Sequence, residues 1–163
     1  MDLLTRVVAA FEKFSPTVYL DAVGKATVGY GHLVQPGEKF DHPLSAEEGR
    51  ALLESDLRQA RAAVDDVFHT VYLAPQEWDA LTSFVFNLGP ENLRASTLRQ
   101  RVLTGMRADA AHEFIKWVWA TAPDGTKKKL AGLVRRRDCE SVWFLGAHPD
   151  TVARIAGAPL EDE

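Results

Sequence analysis

The stretch Glu12-Lys13-Phe14-Ser15-Pro16-Thr17-Val18-Tyr19-Leu20-Asp21-Ala22-Val23-Gly24-Lys25-Ala26-Thr27-Val28-Gly29-Tyr30-Gly31-His32 decides how this chain folds. Ahead of it, Leu3, Leu4, Val7, Val8 and Phe11 recur at helical spacing and lay one apolar stripe on a helix from about Asp2 to Lys13, with Glu12 at its end. Pro16 cannot continue that helix, because it lacks an amide donor and its ring clashes with the preceding turn. From Thr17 to Leu33 the chain is rich in Val, Tyr and Thr and is broken by Gly24, Gly29 and Gly31, the pattern of short strands joined by tight turns. Pro36-Gly37 adds a further turn, and residues 14–44 are expected to form a small β-containing lobe.

Beyond that lobe the helical period returns. Ser45-Ala46-Glu47-Glu48 is a capping box, in which serine and glutamate each satisfy a free amide at a helix start. Leu52, Leu53, Leu57, Ala60 and Val64 then repeat at helical spacing to about Phe68, with Gly49 the only glycine and no proline. Such a helix is on the order of 35 Å long and connects two lobes. Pro75 suits the first turn of another helix, which carries Trp78, Leu81, Phe84 and Val85 and ends near Asn87-Leu88-Gly89-Pro90. Ser96 caps a helix running to Thr104 and stopped by Gly105; a further helix spans about Arg107 to Trp119. After the turn at Pro123-Asp124-Gly125, a last helix covers about Leu130 to Leu145 and stops at Gly146. The expected architecture is α+β and predominantly helical: a lobe at 14–44, a connecting helix at 45–69, a helical lobe at 70–147 and a tail at 148–163. At least the last few tail residues are expected to be loose.

The 163 residues are 46% hydrophobic and 26% charged, which suits one globular catalytic unit with a real core. A formal net charge of −4 argues against a nucleic-acid binder, which needs a positive surface. Lys127, Lys128, Lys129, Arg135, Arg136 and Arg137 nevertheless crowd one stretch, either as a solvated helix face or as a patch drawn to an anionic wall or membrane. Cys139 is the only cysteine, so no intramolecular disulfide forms; its helical neighbours mark it as a small buried spacer rather than a nucleophile. No signal peptide and no apolar run of roughly 20 residues is visible, so cytosolic synthesis without stable membrane insertion is expected. His32, His42, His69, His112 and His148 show no paired metal spacing, and no phosphate loop or nucleophile elbow occurs. No metal or cofactor is expected. Trp78, Trp117, Trp119 and Trp143 read as core residues rather than a sugar platform.

Two carboxylates suffice for glycoside hydrolysis, one protonating the leaving oxygen and one activating water or attacking the sugar. Glu12, where an apolar helix end meets a turn, suits an acid kept protonated by partial burial, and Asp21, in a polar turn, suits an ionised base. Their setting is more specific than the pair itself. A Glu, eight residues, an Asp, five residues, a Thr and then Gly-Tyr-Gly-His closely resemble the signature of the phage lysozyme family, glycoside hydrolase family twenty-four. The resemblance continues through residues 80–89, Ser96-Thr97-Leu98, residues 114–117 and residues 132–140. It implies a lysozyme-like fold and a muramidase cutting the β-1,4 bond between N-acetylmuramic acid and N-acetylglucosamine.

By position, the resemblance implies Glu12 as general acid, Asp21 as the carboxylate activating water and Thr27 as a holder of that water. It implies inversion, and hence carboxyl groups roughly 6.5 to 9.5 Å apart rather than about 5 Å. Leu33, Phe86, Asn87 and Thr97 match positions lining the sugar groove, although Leu33 and Phe86 also read as core. His32 is grouped with them, either tying the lobe together and tuning the acid or serving structure alone. Lys13 departs from the glycine usual after the catalytic Glu, and Ala26 from the aromatic or proline usual before the Thr. The alternatives are a lytic transglycosylase, which needs one acid, and a non-catalytic wall-binding module. A monomer made in the host cytoplasm is expected, and the resemblance implies action on periplasmic peptidoglycan once a holin-type partner has permeabilised the membrane.

Overall fold

The computed structural model describes residues 1–21, 24–121 and 124–160. Helix α1 (Leu3–Glu12) is capped by Asp2, whose Oδ1 accepts from the Thr5 amide at 2.8 Å, and it buries Leu4, Val7 and Val8. Strands β1 (Ser15–Leu20), β2 (Ala26–Gly29) and β3 (His32–Leu33) form an antiparallel sheet in the order β1-β2-β3. Tyr19 stands opposite Thr27, and Val28 opposite His32.

The capping box is present: the Glu48 amide donates to Ser45 Oγ at 3.2 Å and the Ser45 amide to Glu48 Oε2 at 2.8 Å. Helix α2 (Ala46–Phe68) follows, and its one glycine has a packing reason. A Cβ on Gly49 would lie 2.5 Å from the Phe14 ring, so the missing side chain is what lets the β lobe sit against α2.

The helical lobe holds α3 (Pro75–Leu88), α4 (Pro90–Ala95), α5 (Thr97–Leu103), α6 (Arg107–Phe114), α7 (Ala131–Phe144) and α8 (Pro149–Ala156). Phe84 packs edge-on against Phe114 and Trp117, with ring centroids 5.5 Å apart in each pair. No helix among the described residues is long and apolar enough to cross a membrane.

Two segments differ from the sequence expectation. The helix expected to reach Trp119 stops at Phe114, and β4 (Trp119–Thr121) pairs antiparallel with β5 (Lys127–Lys129). Ile115, Trp117, Val118, Trp119 and Thr121 are β-branched or aromatic residues that fit a strand better than a helix. The tryptophans therefore divide: Trp143 is 2% exposed and Trp119 is 58% exposed. The tail, where the sequence suggested no element, forms α8, which buries Val152, Ala153 and Ala156 and packs on α1 and α7. The expected loose end falls partly on residues 161–163, which lie outside the described residues.

Lys13 keeps the backbone shape that the usual glycine would adopt, with φ 60° and ψ 161°. Side-chain-bearing residues reach that region at a cost of about 1–3 kcal/mol, against at most about 1 kcal/mol for the extra unfolded-state freedom of glycine. Lys13→Gly should accordingly stabilise the protein by roughly 1 kcal/mol, read as a higher urea midpoint. An unchanged or lower midpoint would show that the backbone at this position is not strained.

Candidate active site

Glu12 ends α1 with its side chain 21% exposed. The apolar surroundings expected for it are not what the structure has: Oε1 is held by Arg136 Nη1 from α7. On the other side the β2–β3 turn presses close. A Cβ on Gly31 would come within 3.0 Å of Glu12 Oε2, and φ at Gly31 is 82°, so glycine meets both a spatial and a conformational requirement there.

Arg136 is part of a buried network. Its Nε lies 3.2 Å from Glu140 Oε1 and its Nη2 donates to the Ser83 carbonyl at 3.2 Å, while Ser83 Oγ donates to Glu140 Oε1 at 2.7 Å. Arg137 Nε makes ionic contact with Glu140 Oε2 at 2.9 Å, off the hydrogen-bond axis, and its Nη2 donates to Asn87 Oδ1 at 3.1 Å. Of the two readings of the basic run, a solvated face fails for these arginines, which are 3% and 0% exposed. Lys127, Lys128 and Lys129 are exposed on β5. Cys139 is buried beside this network, and burial first, then the Glu140 charge, push its thiol up to about 12, which makes it no nucleophile.

Asp21 follows β1 in a tight turn: its Oδ1 accepts from the Lys25 amide at 2.8 Å, and its own amide donates to the Lys25 carbonyl at 2.9 Å. Thr27 is 3% exposed, and its hydroxyl donates to the same Lys25 carbonyl at 3.1 Å. Tyr19 stands opposite Thr27 in the sheet. Burial first, then the charges of Glu12 and Asp21, raise its phenol above the usual 10.0. Sequence reasoning missed Tyr19, although strand alternation sets it two residues before Asp21.

His32 is 7% exposed and bridges three pieces of chain, with Nδ1 2.8 Å from Asp56 of α2 and Nε2 2.9 Å from Glu38. Burial alone would lower its pKa, but the two carboxylates together outweigh burial and raise it above 6.5. The Gln35 amide, followed by His32, holds Glu38 below the usual 4.5.

A cavity of about 380 Å³ opens between the lobes, lined by Gly31, His32, Leu33 and Gln35 on the sheet side and by Asp56, Gln59, Ala60 and Ala63 of α2. Val85, Phe86, Gly89 and Pro90 close the helical side. Of the expected groove residues, His32, Leu33 and Phe86 line this cavity; Asn87 adjoins it, held by Arg137, while Thr97 stands exposed at the start of α5 and is not part of its wall.

Two lobes meeting at a groove, one a small antiparallel sheet and the other helical, give a lysozyme-type architecture, and comparison with known proteins places the chain within it. The phage lysozyme family model matches residues 9–140. The endolysin of Acyrthosiphon pisum secondary endosymbiont phage 1 is 30% identical over 86% of this chain and 94% of its own length. The muramidase domain of SpmX from Asticaccaulis excentricus superposes with a TM-score of 0.79 at 32% identity, over 89% of this chain and 96% of that one. The endolysin from Escherichia coli O157:H7 phage FAHEc1 gives 0.81 at 27% identity, over 91% and 94%. The chain belongs to the phage lysozyme family. It is a lysozyme-type glycoside hydrolase, of the enzyme class that lyses peptidoglycan.

Two outcomes test the local physics. Arg136→Met takes one of two guanidiniums from the buried Glu140, which keeps Arg137 and Ser83, so the cost should fall toward the low end of the about 3–5 kcal/mol for breaking a buried ion pair; a loss under roughly 1 kcal/mol in urea unfolding would show that the network does not carry this load. The His32 contribution is fully present below its unfolded value of 6.5 and fades as pH rises through the higher folded value. The Glu38 contribution is present above 4.5 and fades as pH falls through its lower folded value. The stability gap between wild type and His32→Gln should thus be widest between pH 4.5 and 6.5; a gap that does not vary with pH contradicts the doubly paired imidazolium.

Proposed function

We propose that this chain is an endolysin muramidase that hydrolyses the β-1,4 bond between N-acetylmuramic acid and N-acetylglucosamine, with inversion, and that residues 1–163 act as one monomeric catalytic domain. The observation that carries the reading is Glu12, held at the end of α1 by Arg136 and set against Gly31, a residue that lines the groove between the two lobes. Glu12, oriented by Arg136 and by the backbone at Gly31, donates its proton to the glycosidic oxygen as the bond to the anomeric carbon breaks. Asp21 takes a proton from a water molecule, whose oxygen attacks that carbon from the opposite face. The Thr27 hydroxyl, already donating to the Lys25 carbonyl, has lone pairs left to accept from that water. Leu33 and Phe86 present apolar surface to the sugar rings, His32 with Asp56 fixes the groove wall, and Asn87, next to Phe86 and held by Arg137, lies at its helical side, while Thr97 takes no part.

The protein is made in the host cytoplasm, and a holin-type partner opens its way to periplasmic peptidoglycan, causing lysis. Glu12→Gln and Asp21→Asn should each lower the release of reducing ends from purified peptidoglycan by at least about a hundredfold. NMR of the first product from a defined oligomer should show the inverted anomer. A retained anomer excludes the water-activating role of Asp21, and anhydromuramic ends in mass spectra identify a transglycosylase instead. Binding of glycan by the wild type with no cleavage at all would mark a wall-binding module.

A further inference from the structure

The face of α2 turned away from the groove carries a second cavity. At about 100° per residue, Arg58, Arg61 and Asp65 point opposite to Asp56, Gln59 and Ala63, which line the groove. Together with Tyr72 and Trp78 these residues border a space of about 570 Å³, well within the roughly 300–1,000 Å³ typical of ligand sites.

Tyr72 is 80% exposed, yet its backbone is anchored. Arg107 Nη2 donates to the Tyr72 carbonyl at 2.9 Å, Arg107 Nε pairs with Glu77 Oε1 at 2.6 Å, and Glu77 Oε2 accepts from the Ala74 amide at 2.8 Å. Glu77 itself is only 7% exposed. The backbone between α2 and α3 is therefore held in place beneath an aromatic ring that faces solvent. Arg61 is oriented by Asp79 at 3.0 Å, whereas Arg58 and Asp65 have no ion-pair partner among the described residues.

We propose that this cavity is a second glycan site, which holds one or two N-acetylated sugar rings of a peptidoglycan strand on the side of the molecule opposite the cutting groove. The occupant must offer flat apolar faces to Tyr72 and Trp78, polar rim groups to Arg61 and Asp65, and a negative charge to Arg58. Sugar rings with hydroxyl and acetamido substituents and carboxylate-bearing side groups meet all three demands. The identity of the polymer rests on the muramidase reading; the sugar-binding chemistry of the cavity does not. A strand held at both sites is retained by avidity, with no new contact in the groove.

The test uses Tyr72→Ala and Arg58→Ala, both at exposed positions, in the full chain. Each should weaken retention on purified peptidoglycan sacculi by roughly fivefold or more and slow their solubilisation, while kcat/KM on a soluble oligomer too short to reach both faces stays at the wild-type value. Titration of wild type with N-acetylglucosamine tetramer should shift the NMR signals of Tyr72 and Trp78. Unchanged sacculus retention in both variants, no shift at Tyr72 and Trp78, or an equal loss on long and short substrates would each overturn the proposal. A wild type inactive on every substrate, with those signals still shifting, would defeat the muramidase reading and leave this site standing.

Discussion

The guanidinium of Arg136 governs the site. It joins Glu12 of α1 to Glu140 of its own helix and to the Ser83 carbonyl of α3, so three helices share one buried cation. Arg136 and Arg137 both contact Glu140, so the fully buried acid has two cationic neighbours in the interior. The arrangement also supplies direction. A carboxyl group at a helix end would otherwise sample several rotamers; here one oxygen is taken by Arg136 and the other faces the turn at Gly31.

The β lobe is attached to α2 in two different ways. Phe14 seats against Gly49 by close contact, a steric joint that tolerates no added methyl group. His32 joins Asp56 and Glu38 by charge, a joint that varies with pH. Because His32 and Asp56 also line the groove, whatever loosens that electrostatic joint alters the wall that sugar would touch. Groove shape and lobe attachment are in this sense one property.

Much of this was legible in the sequence. The stripe Leu3, Leu4, Val7, Val8, Phe11 and the capping box at Ser45 mark α1 and the start of α2, because apolar period and capping chemistry are local signals. The spacing from Glu12 to His32 marks the lobe that bears the acids. The hairpin of Trp119 and Lys129 was hidden, since three lysines in a row resemble solvated surface and their pairing with β4 is a tertiary choice. The buried arginines were misread for a related reason. Arg136, Arg137 and Glu140 occupy the spacing at which α7 would ordinarily place leucines, and that interruption of an apolar face is the signal that could have revealed an internal ion network. Helix α8 escaped because eight residues offer few turns over which a period can be seen.

The partners of Glu12 come late in the chain. Arg136 is separated from it by 124 positions, and Arg6, on the same first helix, donates to the Pro159 carbonyl across 153. Contacts so distant in sequence form only after the intervening loop closes. Glu12 therefore gains the Arg136 contact only after α7 has been made and has folded back. A chain cut short before α7 lacks the guanidinium that holds Glu12.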